Sequence, residues 1–198
     1  MKTAIVLAIA YLVSIVITPA TTLLFDELSP SNLPTNYSGF QWSGWLVAND
    51  APILPPNLYS NAIVSPHNVI GNIDGRSTTL GNGPAFLFFN LNSAYLTAEY
   101  NDGLQIEVQG FSGGAMVYDN TYTINATSPS FVQFDYQHVN AIKFISSGGT
   151  LHPGYPAGGA HLFNFALDNL SLEIPEPATG TLCWLGIAIG LRRLRRRR

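Results

Sequence analysis

The stretch Leu104-Gln105-Ile106-Glu107-Val108-Gln109 decides the fold class. Apolar and polar side chains alternate strictly along it, and successive side chains of a β-strand point to opposite faces of a sheet. The three apolar side chains are therefore expected to face a core, while the two glutamines and the glutamate face water. This alternation predicts a half-buried strand of an antiparallel sheet.

A tight-turn signal, Asn101-Asp102-Gly103, comes directly before this strand. Glycine takes a positive φ without strain, and Asn and Asp tolerate one better than most residues. With residues 95–100 as the upstream strand, the pattern predicts a β-hairpin. In such a turn Glu99 and Asp102 are both expected to be solvent-exposed, which does not favour an acid and base pair.

The residues on both sides of this hairpin form short alternating runs broken by Gly, Pro, Asn, Asp and Ser, without an amphipathic helix of three turns. Roughly nine or ten such runs predict an all-β fold, an antiparallel β-sandwich of the jelly-roll type, in one domain over residues 21–174. Residues 49–83 are expected to form long loops with one strand at 59–64. The other predicted strands are residues 40–47, 84–90, 115–118, 121–125, 131–136, 141–146, 161–167 and 170–174.

The last two of these predicted strands differ in parity. The large apolar residues of 163–167 occupy odd positions, and those of 170–174 occupy even positions. Because the side-chain period of a strand is two, this change predicts a bulge or a break at Asp168-Asn169.

The charges are distributed unevenly along the chain. Residues 23–174 hold 2 basic and 11 acidic residues, a net charge of -9, whereas most basic residues lie at the two ends. Nucleic acid is excluded as a partner, since phosphate binding needs a basic face. The single cysteine, Cys183, lies outside the predicted domain, so the chain cannot build a disulfide framework.

The N-terminal segment has the layout of a secretory signal peptide. Met1-Lys2 is a short positive start, residues 3–17 are mostly apolar, and Thr18-Pro19-Ala20 ends the run with a helix breaker and a small residue. We predict a signal peptide over residues 1–20 with cleavage after Ala20. A membrane anchor or a buried helix is the alternative.

The C-terminal segment combines three features in order. Pro175-Glu176-Pro177 is followed by the uncharged, mostly apolar residues 178–191 and then by a block of arginines. A helix of these apolar residues would span about 21 Å, short of the ~30 Å hydrocarbon core. Arginines stay on the cytoplasmic side of a membrane, which leaves the acidic domain outside. The arginines are Arg192, Arg193, Arg195, Arg196, Arg197 and Arg198.

These features make residues 175–198 resemble the sorting signal of PEP-CTERM proteins. The resemblance implies a precursor held in the membrane by the short helix and cut by an exosortase, and an association with exopolysaccharide or biofilm at the cell surface or in the extracellular matrix. Cys183-Trp184 departs from the plain Leu, Gly and Ala of such helices. The alternative is an ordinary membrane tail that is not cleaved.

Residues 24–28, 101–103, 146–150 and 165–170 together resemble galactose-binding-like jelly rolls, which serve as carbohydrate-binding modules. That resemblance implies a structural calcium ion held by Asp26, Glu27 and Asp168 together with backbone carbonyls. Otherwise these acids cap turns or face solvent. Nothing in the composition requires a cofactor.

Aromatic side chains near loop-like segments are the candidates for stacking on a sugar, although burial is the alternative for each of them. No paired carboxylates, spaced histidines or nucleophile motif indicate an enzyme. We therefore predict an exported, non-catalytic surface protein that contacts exopolysaccharide or another surface glycan. The alternatives are a secreted jelly-roll glycan hydrolase and a self-associating matrix protein. The candidate aromatics are Trp42, Trp45, Tyr37, Tyr59 and Tyr155.

Overall fold

A computed structural model describes residues 20–49, 58–84, 87–156 and 162–175. These residues belong to one compact unit, residues 19–175. The predicted signal peptide, apart from Ala20, and the predicted sorting tail beyond Pro175 lie outside the described residues. In the part that is described, no helix is long and apolar enough to cross a membrane.

The described residues form fifteen strands and a short 3-10 helix, Leu58–Asn61. In chain order the strands are β1 (Thr21–Leu23), β2 (Ser31–Asn32), β3 (Asn36–Tyr37), β4 (Phe40–Ser43), β5 (Trp45–Asn49), β6 (Asn68–Asn72), β7 (Thr78–Gly81), β8 (Phe89–Ala98), β9 (Asn101–Asp102), β10 (Leu104–Ser112), β11 (Ala115–Ile124), β12 (Ser130–Val139), β13 (Ala141–Ser147), β14 (Thr150–Leu151) and β15 (Phe165–Glu173).

Two antiparallel sheets pack face to face, which confirms the predicted all-β sandwich. The first sheet has the order β12-β8-β15-β6-β5-β2, with β1 also paired to β15. The second has the order β11-β10-β13-β7-β4-β3, and β9 and β14 form a separate two-stranded ladder. The first and last strands, β1 and β15, therefore lie side by side.

The inner faces of the two sheets form one hydrophobic core. Leu104, Ile106 and Val108 of β10 are fully buried in it, as their alternation predicts. Aromatic rings fill its centre: the Trp45 ring packs edge-on against Phe144 and Phe165, with centroid distances of 5.4 and 5.8 Å. Edge-to-face contacts of this kind add about 0.5–1.5 kcal/mol each to the effect of burial.

The predicted hairpin of residues 95–100 with β10 is wrong. β8 belongs to the first sheet, where it pairs with β12 and β15, whereas β10 belongs to the second. The turn before Leu104, with Gly103 at φ 69°, carries the chain from one sheet to the other. A turn signal specifies a change of direction and does not specify which strands pair across it.

The predicted strand at residues 40–47 is divided into two strands in different sheets. Gly44 has φ +82°, and a Cβ there would lie 3.2 Å from the carbonyl oxygen of Ser77. The chain changes sheets at this glycine, so β4 joins the second sheet and β5 the first.

Two other predicted segments are also wrong. Residues 59–64 begin in the 3-10 helix instead of a strand, and β6 and β7 lie in the region predicted to be mostly loops. The runs at 115–118 and 121–125 form one strand, β11. The predicted irregularity near Asp168 is confirmed, because β15 shifts register between Asp168 and Ser171 and Asn169 has φ 51°.

Candidate functional site

The outer face of the second sheet, which we call the polar face, carries hydrogen-bonding side chains across its strands. One row of directly opposed residues runs from Asp119 through Gln109, Lys143 and Thr79 to Ser43. Each of these residues comes from a different strand, so five neighbouring strands position the row. It presents carboxylate, amide, ammonium and hydroxyl groups at the spacing of the strands.

A shallow cleft lies at the β4 and β7 side of this face, with a volume of about 560 Å³. Hydroxyl and amide groups dominate its polar lining, and the cleft has no charged lining residue. Such a lining suits a ligand that exchanges hydrogen bonds without carrying charge. The lining residues are Thr35, Asn36, Gln41, Trp42, Ser43, Thr79, Leu80, Gly81 and Ala141.

The few charges of the polar face nearly balance one another. Glu107 accepts a hydrogen bond from the Gln109 side chain, and Lys143 and Asp119 lie opposite Gln109 from its two sides. A phosphate-rich ligand would meet Lys143 together with two carboxylates. The face therefore fits neutral, hydroxyl-rich ligands better than anions.

The outer face of the first sheet is covered over β5, β6 and β15, whereas outward side chains of β12 such as Gln133 are exposed. The segment that starts with the 3-10 helix packs on it and forms a second apolar cluster, in which Tyr59 and Ile63 lie against Val69 and Ala166. A Cβ at Gly71 would approach the Tyr59 ring to 3.1 Å, so a larger residue there would require that ring to shift by a few tenths of an ångström. The polar face of the second sheet lacks a comparable cover among the described residues.

The two tryptophans predicted as sugar-stacking candidates are core residues instead. Trp42 and Trp45 expose 3% and 2% of their surface. Their strands belong to opposite sheets because the chain crosses over at Gly44, so both rings point into the interior and meet at 6.2 Å. Their indole N–H groups donate to the backbone carbonyls of Tyr37 and Thr79, so the polar atoms of both buried rings are satisfied within the protein.

Tyr37 is a half-buried aromatic that packs on the core. Its ring lies 5.6 Å from that of Phe25, and its hydroxyl donates a hydrogen bond to Glu27. Burial raises the pKa of Tyr37, and the adjacent Glu27 carboxylate raises it further. The hydroxyl therefore stays protonated and holds Glu27 in place.

Of the remaining predicted aromatics, Tyr59 belongs to the second apolar cluster, and Tyr155 is held by Asn61. The Asn61 amide donates to the Tyr155 hydroxyl at 2.8 Å. Tyr155 in turn packs on the His152 ring at 4.6 Å. We call Asn61, Asp102, His152 and Tyr155 the end cluster.

Asp102 and His152 are hydrogen-bonded within the end cluster, with 2.6 Å between the carboxylate oxygen Oδ2 and Nδ1. The hydrogen bond from His152, followed by the backbone N–H of Ala126, lowers the pKa of Asp102. The sequence did not indicate this pair. Residue 102 lies in β9 and residue 152 in the loop after β14, and only the pairing of β9 with β14 brings them together.

Glu99, which the sequence predicts to be exposed, is buried and interacts with two tyrosine hydroxyls. Burial is the main cause of the raised pKa of both tyrosines, and the Glu99 carboxylate adds to it in each case. The pKa of Tyr100 reaches about 12. Glu99 is buried because the segment that carries Tyr59 covers its carboxylate. Glu99 is therefore not an exposed turn residue.

The three acids predicted to hold calcium are only partly brought together. Asp168 is 1% exposed, and its carboxylate accepts hydrogen bonds from the backbone N–H groups of Val64 and Ser65 at 2.7 and 2.8 Å. Asp26 accepts from the N–H groups of His67 and Asn68 at 2.9 and 3.0 Å. The two aspartates therefore fasten residues 64–68 to the sandwich.

Glu27 is engaged by Tyr37, whose hydroxyl donates a hydrogen bond to its carboxylate. Among the described residues, no group of three or more His, Cys, Asp and Glu side chains could hold a metal ion. Burial raises the pKa of Asp168, and the hydrogen bonds from Ser65, Val64 and Asn169 oppose that rise.

Ser65 nevertheless lies at a concentration of oxygen atoms. Its Oγ is 3.0 and 3.2 Å from the two Asp168 oxygens, 3.3 Å from Asp26 Oδ1, and 3.2 and 3.4 Å from the carbonyls of Leu24 and Asn68. One hydroxyl proton cannot serve all of these acceptors. With Ser65 Oγ itself, the oxygens meet the lower limit of the six to eight that calcium takes, and two of the groups are anionic.

Searches with known proteins return structures only: neither a family model nor a curated protein matches the chain. The K2 cleaved adhesin domain of Lys-gingipain is 12% identical and covers 79% of this chain and 100% of its own, with a TM-score of 0.48. The CBM22-1 xylan-binding domain of Xyn10C from Paenibacillus barcinonensis is 12% identical, covers 81% and 97%, and has a TM-score of 0.44. TmCBM61, solved with β-1,4-galactotriose, is 12% identical, covers 74% and 100%, and has a TM-score of 0.37.

Proposed function

We propose that this chain is an exported, non-catalytic surface protein whose jelly-roll domain contacts a neutral glycan through the polar face. The observation that supports this proposal is the row of amide, hydroxyl, carboxylate and ammonium groups that crosses five strands beside a cleft without charged lining residues. Sugars offer hydroxyl groups that both donate and accept, and such side chains match them. Because the cleft is shallow, we expect weak binding to each glycan segment.

The glycan proposal is tested with residues 19–175 and soluble neutral galactan, xylan and glucan in affinity electrophoresis. Replacing Gln41 and Thr79 with alanine should weaken binding by about 2- to 10-fold for each hydrogen bond lost, since one bond contributes about 0.5–1.5 kcal/mol. Gln133→Ala is the matched control, because this exposed glutamine lies on β12 of the other sheet. Equal retardation of all three proteins, or none by any glycan, would remove the polar face as a binding surface.

The alternative of a glycan hydrolase has weaker support. It requires two carboxyl groups at an open site, one of them with a raised pKa. Asp168 has the raised pKa and lies near Asp26, but residues 64–68 seal it from solvent. A glycan could reach this pair only after that segment had been displaced.

We also propose that Asp26, Asp168 and Ser65, together with the carbonyls of Leu24 and Asn68, hold a structural calcium ion. The support is the excess of acceptors over the single hydroxyl proton at Ser65. A bound cation would neutralise the two carboxylates and strengthen the attachment of residues 64–68. Thermal melting with and without a chelator tests this proposal.

Delivery to the cell surface completes the proposed function. Residues 1–20 would direct export, and Pro175-Glu176-Pro177 with the apolar segment and the arginines would direct membrane retention and cleavage by an exosortase. The support is the order of these features in the sequence. The mass of the mature protein tests it.

A further inference from the structure

β11 forms one edge of the second sheet and pairs with β10 alone among the described strands. Its ladder shifts register once, where Val117 is the extra residue between Met116 and Tyr118. From Tyr118 to Ile124 the ladder is regular. In an antiparallel ladder, alternate residues turn their N–H and C=O groups away from the neighbouring strand, so this stretch presents backbone groups at the sheet edge that no other described strand pairs.

The edge strand of the first sheet is built differently. β12 shifts register twice against β8, and Asp135 and His138 within it have φ 55°. Such irregularities are the usual means by which proteins prevent an edge strand from pairing with another chain. Along the regular stretch of β11 there is no comparable protection, since it reads Tyr-Asp-Asn-Thr-Tyr-Thr-Ile, with one charge and no Pro, Gly or Lys.

We propose that β11 pairs antiparallel with β11 of a second copy of this chain, so that the two second sheets join into one. The pairing requires a two-fold axis perpendicular to the sheet, which places residues of the same face opposite each other. Asp119, Thr121 and Thr123 share the polar face, because they lie opposite Gln109, Glu107 and Gln105.

Self-pairing is compatible with the side chains in the registers that this symmetry allows. With Asn120 on the axis, Asp119 faces Thr121 of the second copy, and Tyr118 faces its Tyr122. Aromatic pairs at directly opposed positions stabilise antiparallel strands. With Thr121 on the axis, Asp119 faces Thr123. Only an axis through Asp119 itself would bring like charges together.

Salt distinguishes pairing with a second copy from binding of a basic partner. The region from residue 23 to 174 carries a net charge of -9, so two copies repel each other through space while their nearly uncharged β11 edges meet. Salt screens that repulsion, and the dimer should therefore become more stable as ionic strength rises. A basic partner would bind more weakly under the same change.

Disulfide trapping locates the contact. Residues 19–175 contain no cysteine, so Asn120→Cys and Thr121→Cys each introduce one thiol at the β11 edge, and the residue that lies on the two-fold axis faces its own copy. Mild oxidation should give several-fold more cross-linked dimer with one of these variants than with Gln133→Cys, an exposed site on the β12 edge. Equal cross-linking from both edges would overturn the proposal.

Sedimentation at increasing protein and salt concentration measures the association without a cross-link. Asn120→Pro and Thr121→Pro provide a matched pair of variants, because successive N–H groups of a strand point to opposite sides. One of the two prolines removes a hydrogen bond to β10 and should lower the melting temperature. The other removes an N–H group that points away from β10. The proline variant that keeps its melting temperature should weaken the dimer about tenfold or more, because the axis repeats the loss in both copies. A monomer under all conditions, or a dimer that this variant leaves unchanged, would contradict the pairing of β11. Glycan binding by the monomeric variant would show that the two proposals are independent.

Discussion

Asp102 lies in a turn and is hydrogen-bonded to His152. The effect of this contact on the pKa of Asp102 can be tested at the level of one residue. The hydrogen bond from His152 and the N–H of Ala126 lower the pKa of Asp102 in the folded state. A carboxylate with a lowered folded pKa stabilises the protein above its unfolded value, about 3.9, and this contribution is lost as the pH falls through the folded value. The end cluster should therefore loosen in acid.

We expect Asp102→Asn to reduce the free energy of unfolding at pH 7 by about 1 kcal/mol or less, because the pair is partly exposed. The difference from the unmodified protein should shrink as the pH falls below the unfolded value, about 3.9, and disappear below the lowered folded pKa, where Asp102 is protonated in both states. Urea unfolding across this pH range measures it. In a double-mutant cycle, His152→Ala should remove most of the effect of Asp102→Asn at pH 7. Additive effects of the two changes would show that they do not interact.

At the level of strands, the sequence predicts what depends on local alternation and fails where a partner decides. β10 and β13 are found where they are predicted, and the parity change at Asp168 marks a real shift of register. The pairing of β8 with β12 and β15 could not be predicted, since it joins residues far apart in the chain. The change of sheet at Gly44 could not be predicted, because the strands on both sides of this glycine bury a tryptophan in the same core.

The candidate site follows the same division. The outward glutamines of β10 are evident from the alternation, whereas the row through Lys143, Thr79 and Ser43 exists only because β13, β7 and β4 follow β10 in the sheet. Asp26 and Asp168, which the sequence predicts as calcium ligands, both lie within hydrogen-bond distance of Ser65. The sequence did not indicate that Ser65 lies beside both aspartates. It also did not indicate the hydrogen bond between Tyr37 and Glu27.

The segment 64–68 is the element whose stability reports on calcium. If an ion is bound at Ser65, calcium at about 100 times its dissociation constant should add about 2.7 kcal/mol to the free energy of unfolding. For a domain of this size the melting temperature should then rise by about 5–10 °C, and a chelator should reverse the rise. Differential scanning calorimetry of residues 19–175 measures both.

Two variants distinguish calcium binding from a general effect of divalent ions. Asp26→Asn removes one anionic ligand and should abolish the response to calcium. Glu27→Gln should retain it, because that carboxylate binds Tyr37 instead. Identical melting curves with calcium and with chelator would mean that the hydrogen bonds around Ser65 alone hold the segment.

For the molecule as a whole, the distribution of charge along the chain bears on the proposed export. The sandwich is acidic and has its polar face open, while the basic residues are concentrated at the chain ends. An acidic domain is poorly retained by the anionic inner surface of a membrane, and a terminal arginine block is strongly retained. The same distribution that excludes nucleic acid thus favours a domain displayed outside the cell.

We expect the mature protein, recovered from the surface or the medium of bacteria that contain an exosortase, to lack residues 1–20 and the apolar, arginine-rich tail. Replacing Pro175, Glu176 and Pro177 with alanine should leave the N-terminal cleavage unchanged and keep the tail attached. The reason is that the proposed exosortase recognises that motif and the enzyme that removes the signal peptide does not. Intact-mass spectrometry of both proteins separates the two cleavages. Alanine at Pro153, a proline of the exposed loop after β14, is the matched control and should be processed normally. Protein with both original termini in the cytosol would contradict export, whereas an exported protein that keeps its arginines would contradict sorting alone and leave the glycan and dimer proposals standing.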